Sequence, residues 1–156
     1  MYTNISIRPA KIEDAHTLIE FNRAMALETE HRHLASENVS QGVKRLLLNS
    51  DLGFYLVAES NGETVGSLMV TTEWSDWRDG FFWWIQSVYV KPAWRRSGVF
   101  TSLYNFVKQM AKEDSSICGF RLYVERSNLA AQETYKAVGM QKTPYCLFEE
   151  LKAGTE

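Results

Sequence analysis

Apolar positions along the chain switch between a spacing of two and a spacing near three and a half, and the switches mark out elements. Ile5 and Ile7 alternate with polar neighbours and run into Pro9, which predicts a short first strand. From Ile12 to about Glu28 the apolar residues Ile12, Ala15, Leu18, Ile19, Met25 and Ala26 recur near helical spacing. A second helical stretch begins at about Ser36, suited to an N-cap, and continues through Val39, Val43, Leu46 and Leu47. Phe54 to Glu59 and Thr64 to Thr72 are two strand-like runs joined by Ser60-Asn61-Gly62-Glu63. Asn-Gly accepts positive φ at both positions and predicts a hairpin. Phe81 to Val90 predicts a fourth strand, and Val99, Leu103, Phe106, Val107 and Met110 mark one face of a helix. Phe120, Leu122 and Val124 alternate with Arg121, Tyr123 and Glu125, as in a fifth strand. Asn128 opens a short helix ending near Val138, with Gly139 just past it, and Tyr145 to Glu150 read as a last strand. The order β-α-α-β-β-β-α-β-α-β predicts an α/β domain around a mixed central sheet flanked by helices. No repeat, low-complexity segment or linker interrupts it, so residues 1–156 are expected to form a single domain.

The bulk numbers remove whole classes of function. The chain has 156 residues, enough for one real core, with 45% hydrophobic and 23% charged residues. A net charge of −2 exerts no global pull toward nucleic acid or an anionic membrane, so neither is expected as a partner and any anion site must be local. The apolar runs are shorter than a membrane span and no charged-then-apolar leader opens the chain, which makes the cytoplasm the expected compartment. Cys118 and Cys146 lack metal-ligand spacing and are expected to be reduced. His31 and His33 flank Arg32 without further ligands in view, so no metal is expected.

One local anion site is legible. In Lys91-Pro-Ala-Trp-Arg-Arg-Ser-Gly-Val-Phe-Thr101, Gly98 stands at the first turn of the helix that follows the fourth strand. Backbone N–H groups there lack intrahelical partners, the helix dipole adds positive potential, and glycine lets a ligand come close. Arg95, Arg96 and the Ser97 hydroxyl add donors, as a phosphate or pyrophosphate would require. The competing reading is a surface loop with two solvated arginines and a glycine turn. Neither GxxxxGK[ST] nor a GxGxxG after a strand is present.

The stretch IQSVYVKPAWRRSGVFTSLY resembles the central motif of the GCN5-related N-acetyltransferases (GNAT): Arg or Gln, two residues, Gly, one residue, then Gly or Ala. Arg95, Gly98 and Phe100 fill those slots. LYVERSNLAAQETYKAVGM resembles the family's next motif, with Asn128, Tyr135 and Gly139 at the matching places, and the element order matches over nearly the whole chain. Phe100 departs from the pattern; it is accommodated if its ring points away from the ligand while its N–H points inward.

The resemblance implies direct acetyl transfer from acetyl-CoA, a co-substrate, to an amine. It implies that Arg95, Arg96, Ser97, Gly98, Val99, Phe100 and Thr101 hold the CoA pyrophosphate, and that the pantetheine arm pairs with the strand edge at Val88, Tyr89 and Val90. A backbone N–H of Val90 or Val88 would face the developing oxyanion. Tyr135 is the candidate general acid for the departing thiolate, a phenol being protonated at neutral pH; its other reading is a packing aromatic. Asn128 either caps its helix or bonds a CoA amide. Where the family often carries a glutamate on the fourth strand, this strand has Gln86 and Ser87 and no carboxylate. Glu28, Glu30, His31, His33, Glu73 and Asp76 remain as bases, beside proton loss through water. Trp74, Trp77, Phe81, Phe82, Trp83 and Trp84 either wall an acceptor pocket or pack the hairpin, and the nearby carboxylates could hold an ammonium. The expected function is acetylation of a primary amine on a small molecule, an amine, polyamine or amino-acid-like compound. A homodimer is expected from the aromatic content and from the pairing of many relatives. The alternatives are a protein or peptide N-acetyltransferase, a non-catalytic acyl-CoA sensor, and nucleotide binding through the arginine loop.

Overall fold

The structure is a computed structural model that describes residues 4–155. Two compact units divide it, one up to Leu122 and one from Tyr123 on.

The first unit is built on a five-stranded sheet in the order β1-β2-β3-β4-β5. The strands are β1 (Ser6–Pro9), β2 (Phe54–Ser60), β3 (Glu63–Ser75), β4 (Gly80–Val90) and β5 (Ile117–Arg121). β1 to β4 pair antiparallel, and β5 pairs parallel to β4, which makes the sheet mixed as expected. The β2–β3 turn has φ 52 at Asn61 and φ 78 at Gly62, the positive pair that Asn-Gly supplies. Arg8 on β1 donates to Asp14 at 2.8 Å and to Glu59 on β2 at 2.7 Å; this guanidinium holds the Asp14 carboxyl below its ordinary range.

Helices α1 (Ala15–Glu30) and α2 (Ser36–Leu48) cover one sheet face. Ala15, Leu18, Ile19, Val43 and Leu46 pack there against Tyr55 and Val57. Alternation along the strands sends Leu56, Leu68 and Val70 to the other face, where α3 (Val99–Lys112) buries Val99, Leu103 and Val107. Ser36 is the first helical residue of α2, with Ala35 in the cap position. β5 begins earlier than its alternation suggested and ends at Arg121, so residues 122–124 lie outside it. Three consecutive rungs with β4 fix that register: Phe82 opposite Gly119, Trp83 opposite Phe120 and Trp84 opposite Arg121.

The second unit contains α4 (Leu129–Ala137). It ends as Gly139 predicts: Gly139 has φ 100, its N–H donates to Lys136 O, and the Met140 N–H donates to Tyr135 O. The expected last strand over Tyr145 to Glu150 does not form. Strand propensity needs a hydrogen-bonded neighbour to become a strand, and among the described residues the sheet ends at β5. Tyr145, Leu147 and Phe148 stay exposed.

Candidate active site

The site is built where β4 leaves the sheet and the chain turns into α3. On β4, Ser67 of β3 pairs with Tyr89 and Met69 with Gln86. Ser87 and Val88 therefore stand opposite Leu68 alone, a β-bulge. Ser87 takes φ 49, a left-handed conformation uncommon outside glycine. β5 ends at the Trp84–Arg121 rung, so it does not pair with β4 at the bulge or beyond. On the β3 side the Lys91 N–H donates to Val65 O at 2.9 Å. Antiparallel alternation then directs the backbone groups of Val90 to the opposite side, past the end of β5. Val88 sits in the bulge itself, and the Tyr89 side chain is buried against Phe21 of α1, ring centroids 4.7 Å apart.

The loop after β4 alternates turns of opposite hand. Pro92–Trp94 form a 3-10 turn, Arg96 has φ 64, and Gly98 has φ 85. The Ser97 hydroxyl donates back to the Trp94 carbonyl, which spends its proton inside the loop. The first bond of α3 runs from Ser102 N to Gly98 O at 3.0 Å, so the N–H groups of Val99, Phe100 and Thr101 stand ahead of the helical ladder. A Cβ built on Gly98 meets nothing within 4 Å. The turn is thus open above the very backbone whose N–H groups and helix dipole favour an anion. Val99 is buried beneath it, and the Phe100 ring stacks on Tyr104 one turn along α3 at 5.9 Å. That stacking directs the ring along the helix. Arg96 and Thr101 are exposed.

Arg95 is held on the other side of the loop. Its Nη2 donates to Glu28 Oε2 at 2.6 Å, its Nε donates to Val90 O at 2.9 Å, and its guanidinium carbon lies 5.6 Å from the Tyr89 ring centre.

The carboxylates divide into paired and exposed. Glu28 is taken by Arg95. Glu73 accepts from Arg121 Nη1 at 2.5 Å and from the Trp84 indole at 3.3 Å, so its charge is matched. Asp76 accepts from the Trp77 N–H at 2.9 Å, and Glu30, His31 and His33 are exposed. Of the aromatic run, Phe82 and Trp83 are buried packing residues, while Trp74, Trp77 and Phe81 are exposed. Phe82 carries the Arg121 guanidinium 3.6 Å above its ring. Among the described residues, no group of three His, Cys, Asp or Glu could hold a metal ion, and no helix is long and apolar enough to cross a membrane.

In the second unit, Asn128 caps α4 by accepting from Ala131 N at 3.2 Å. Tyr135 lies half-buried on α4, and burial pushes its phenol up from its ordinary value, which keeps the hydroxyl protonated and able to donate. Two features of the first unit escaped the sequence pattern: the left-handed Ser87 and the Glu28–Arg95 pair. The polar break Gln86-Ser87 in an otherwise apolar strand was the available signal for the first; the second joins residues 67 positions apart and leaves none.

The acetyltransferase (GNAT) family model matches residues 16–140. Among solved structures, a possible acetyltransferase from Clostridium difficile 630 is 42% identical, with 95% of this chain and 97% of that one aligned and a TM-score of 0.88. A predicted acetyltransferase from Clostridium acetobutylicum with acetyl-CoA shares the fold at 19% identity, 94% and 96% coverage and a TM-score of 0.77. So does an aminoglycoside N-acetyltransferase in complex with CoA, at 16% identity, 97% coverage of both chains and a TM-score of 0.75. No curated protein matches the chain in sequence.

Proposed function

The chain belongs to the GNAT acetyltransferase family and is an acetyl-CoA-dependent N-acetyltransferase, and we propose that its acceptor is a primary amine on a small molecule. The observation that supports the acetyl-CoA site is the β4 segment beyond its last rung with β5, placed directly before the uncovered Gly98 turn. The turn fits a diphosphate because its N–H groups precede the helical ladder and no protein atom fills the space a Cβ would take. Acetyl-CoA, when bound, supplies the activated acetyl group.

The chain's own residues do the rest. Arg95, Arg96, Ser97, Gly98, Val99, Phe100 and Thr101 form the proposed diphosphate turn. Val88, Tyr89 and Val90 form the proposed edge for the pantetheine amides, as an added strand would pair. A backbone N–H of Val88 or Val90 faces the oxygen on which negative charge develops. Tyr135 holds its proton at neutral pH and donates it to the departing sulfur. Asn128 contributes its side chain to the pantetheine amides or keeps it on the α4 cap. β4 carries no carboxylate, so the amine loses its proton through water. The protein is proposed to work in the cytoplasm as a homodimer; sedimentation at micromolar concentration that shows only monomer rules out the dimer.

The test is thiol release from acetyl-CoA against a panel of small amines and peptides. Turnover with small amines is the expected result. Turnover with peptides alone shifts the assignment to a peptide acceptor, and CoA binding without turnover of any amine reduces the protein to a sensor.

A further inference from the structure

Arg95 is bound by three groups that together describe a cation site. Glu28 offers a carboxylate oxygen at 2.6 Å, Val90 a carbonyl oxygen at 2.9 Å, and Tyr89 an aromatic ring centred 5.6 Å away. The site is built into the fold. Tyr89 is buried against Phe21, and Glu28 sits in the last turn of the same α1. It lies one to three residues beyond the Ser87 bulge, hence within roughly 10 Å of the backbone proposed to meet the reacting acyl oxygen. The cation now in it belongs to the loop proposed to hold the diphosphate.

We infer that Arg95 is an internal placeholder, and that the Glu28–Tyr89 site takes the ammonium group of the acceptor once the co-substrate has drawn the guanidinium away. The inference rests on the acetyl-CoA reading above and adds to it which residues receive the acceptor's ammonium and which side chain vacates them. A diphosphate suits a guanidinium better than one carboxylate does, because the planar fork meets phosphate oxygens in pairs. The present pair is half-exposed on both sides, and such pairs bias an equilibrium by only about two- to five-fold. Arg95 also covers the Val90 carbonyl, an acceptor on the edge assigned to the pantetheine amides. Co-substrate binding therefore moves Arg95 from both directions. What remains is a carboxylate beside an aromatic face with its counter-charge removed, which an ammonium restores.

The experiment is a calorimetric titration of spermidine, with and without saturating CoA, into the wild type, Arg95→Gln, Glu28→Gln and Glu28→Asp. The wild type should bind spermidine about three- to sixfold more tightly when CoA is present, as removal of a placeholder biased about two- to fivefold allows. Arg95→Gln should bind it without CoA, the placeholder being gone. Glu28→Gln should lose spermidine binding under both conditions while still binding CoA, and Glu28→Asp should recover part of it. In steady state, Glu28→Gln should raise KM for spermidine much more than it changes kcat. Wild-type protein that binds CoA but takes spermidine equally well without it, or takes none, overturns the inference and leaves the acetyl-CoA reading standing. Spermidine binding by Glu28→Gln at wild-type strength also overturns it. Wild-type protein that fails to bind CoA overturns the reading underneath.

Discussion

Replacing Gly98 separates the cost of a backbone conformation from the cost of a lost ligand. Its φ is 85, and an added Cβ meets no protein atom within 4 Å. Gly98→Ala therefore pays only for holding an L-residue in the left-handed region, about 1 kcal/mol. In a chain of this size that lowers Tm by about 2–4 °C. Gly98→Glu carries the same backbone cost and adds a carboxylate over the turn at which the N–H groups of Val99 to Thr101 gather. Hydrogen bonds to a charged group contribute about 1.5–3 kcal/mol each. Loss of one or two of them weakens acetyl-CoA binding by about 3 kcal/mol, on the order of 10²-fold. Calorimetric titration with acetyl-CoA and thermal unfolding of both variants provide the two readings. Equal, small losses of Tm with a steep loss of affinity in the Glu variant are the expected pattern. An unchanged Kd in Gly98→Glu refutes the diphosphate turn.

Tyr135→Phe should keep acetyl-CoA affinity and lower the single-turnover rate by about 10²-fold, whereas a wild-type rate retires the acid role. Gly119→Ala should destabilise the β4–β5 ladder by about 1–3 kcal/mol, since its Cβ would lie 2.8 Å from the Phe82 ring; thermal unfolding measures it, and an unchanged Tm contradicts the close packing. Burial pushes the phenols of Tyr55, Tyr104 and Tyr135 upward. Their neutral forms support the fold fully below about pH 10, and that support is lost as pH rises from there through the folded values. Urea midpoints should accordingly fall above about pH 10, and less steeply in Tyr55→Phe.

Elements whose stability is local were readable from the sequence. The Asn61-Gly62 hairpin, the amphipathic face of α3 and the Gly139 stop of α4 each depend on a few neighbouring residues, and each stands where the pattern put it. The expected strand at Tyr145–Glu150 had the right residues, but a strand also needs a partner, which a one-dimensional pattern cannot supply. β5 shows the same limit: alternation ran on to Val124, while the ladder that defines the strand stops at Arg121. At the site, the Gly98 turn was legible because glycine at a helix start has a narrow physical use. The direction of Arg95 was not, because it is set by a carboxylate on α1 and a carbonyl on β4.

The bulge at Ser87 also divides β4 into two reading frames. Before it, even-numbered residues face α1 and α2, as Gln86 opposite Met69 does. After it the parity inverts, so that odd-numbered Tyr89 meets Phe21 on that same face while Val90 lies over Gly66 on the α3 side. Deleting one residue between Gln86 and Tyr89 would remove the bulge and leave Tyr89 two positions from Gln86, so its ring would stay on the Phe21 face while the left-handed backbone at Ser87 is lost. The extra residue therefore shapes the backbone of the site and not the faces its flanking side chains take. Point substitutions here test side chains one at a time, whereas a single-codon deletion would straighten the backbone of the site's floor and leave its two faces where they are.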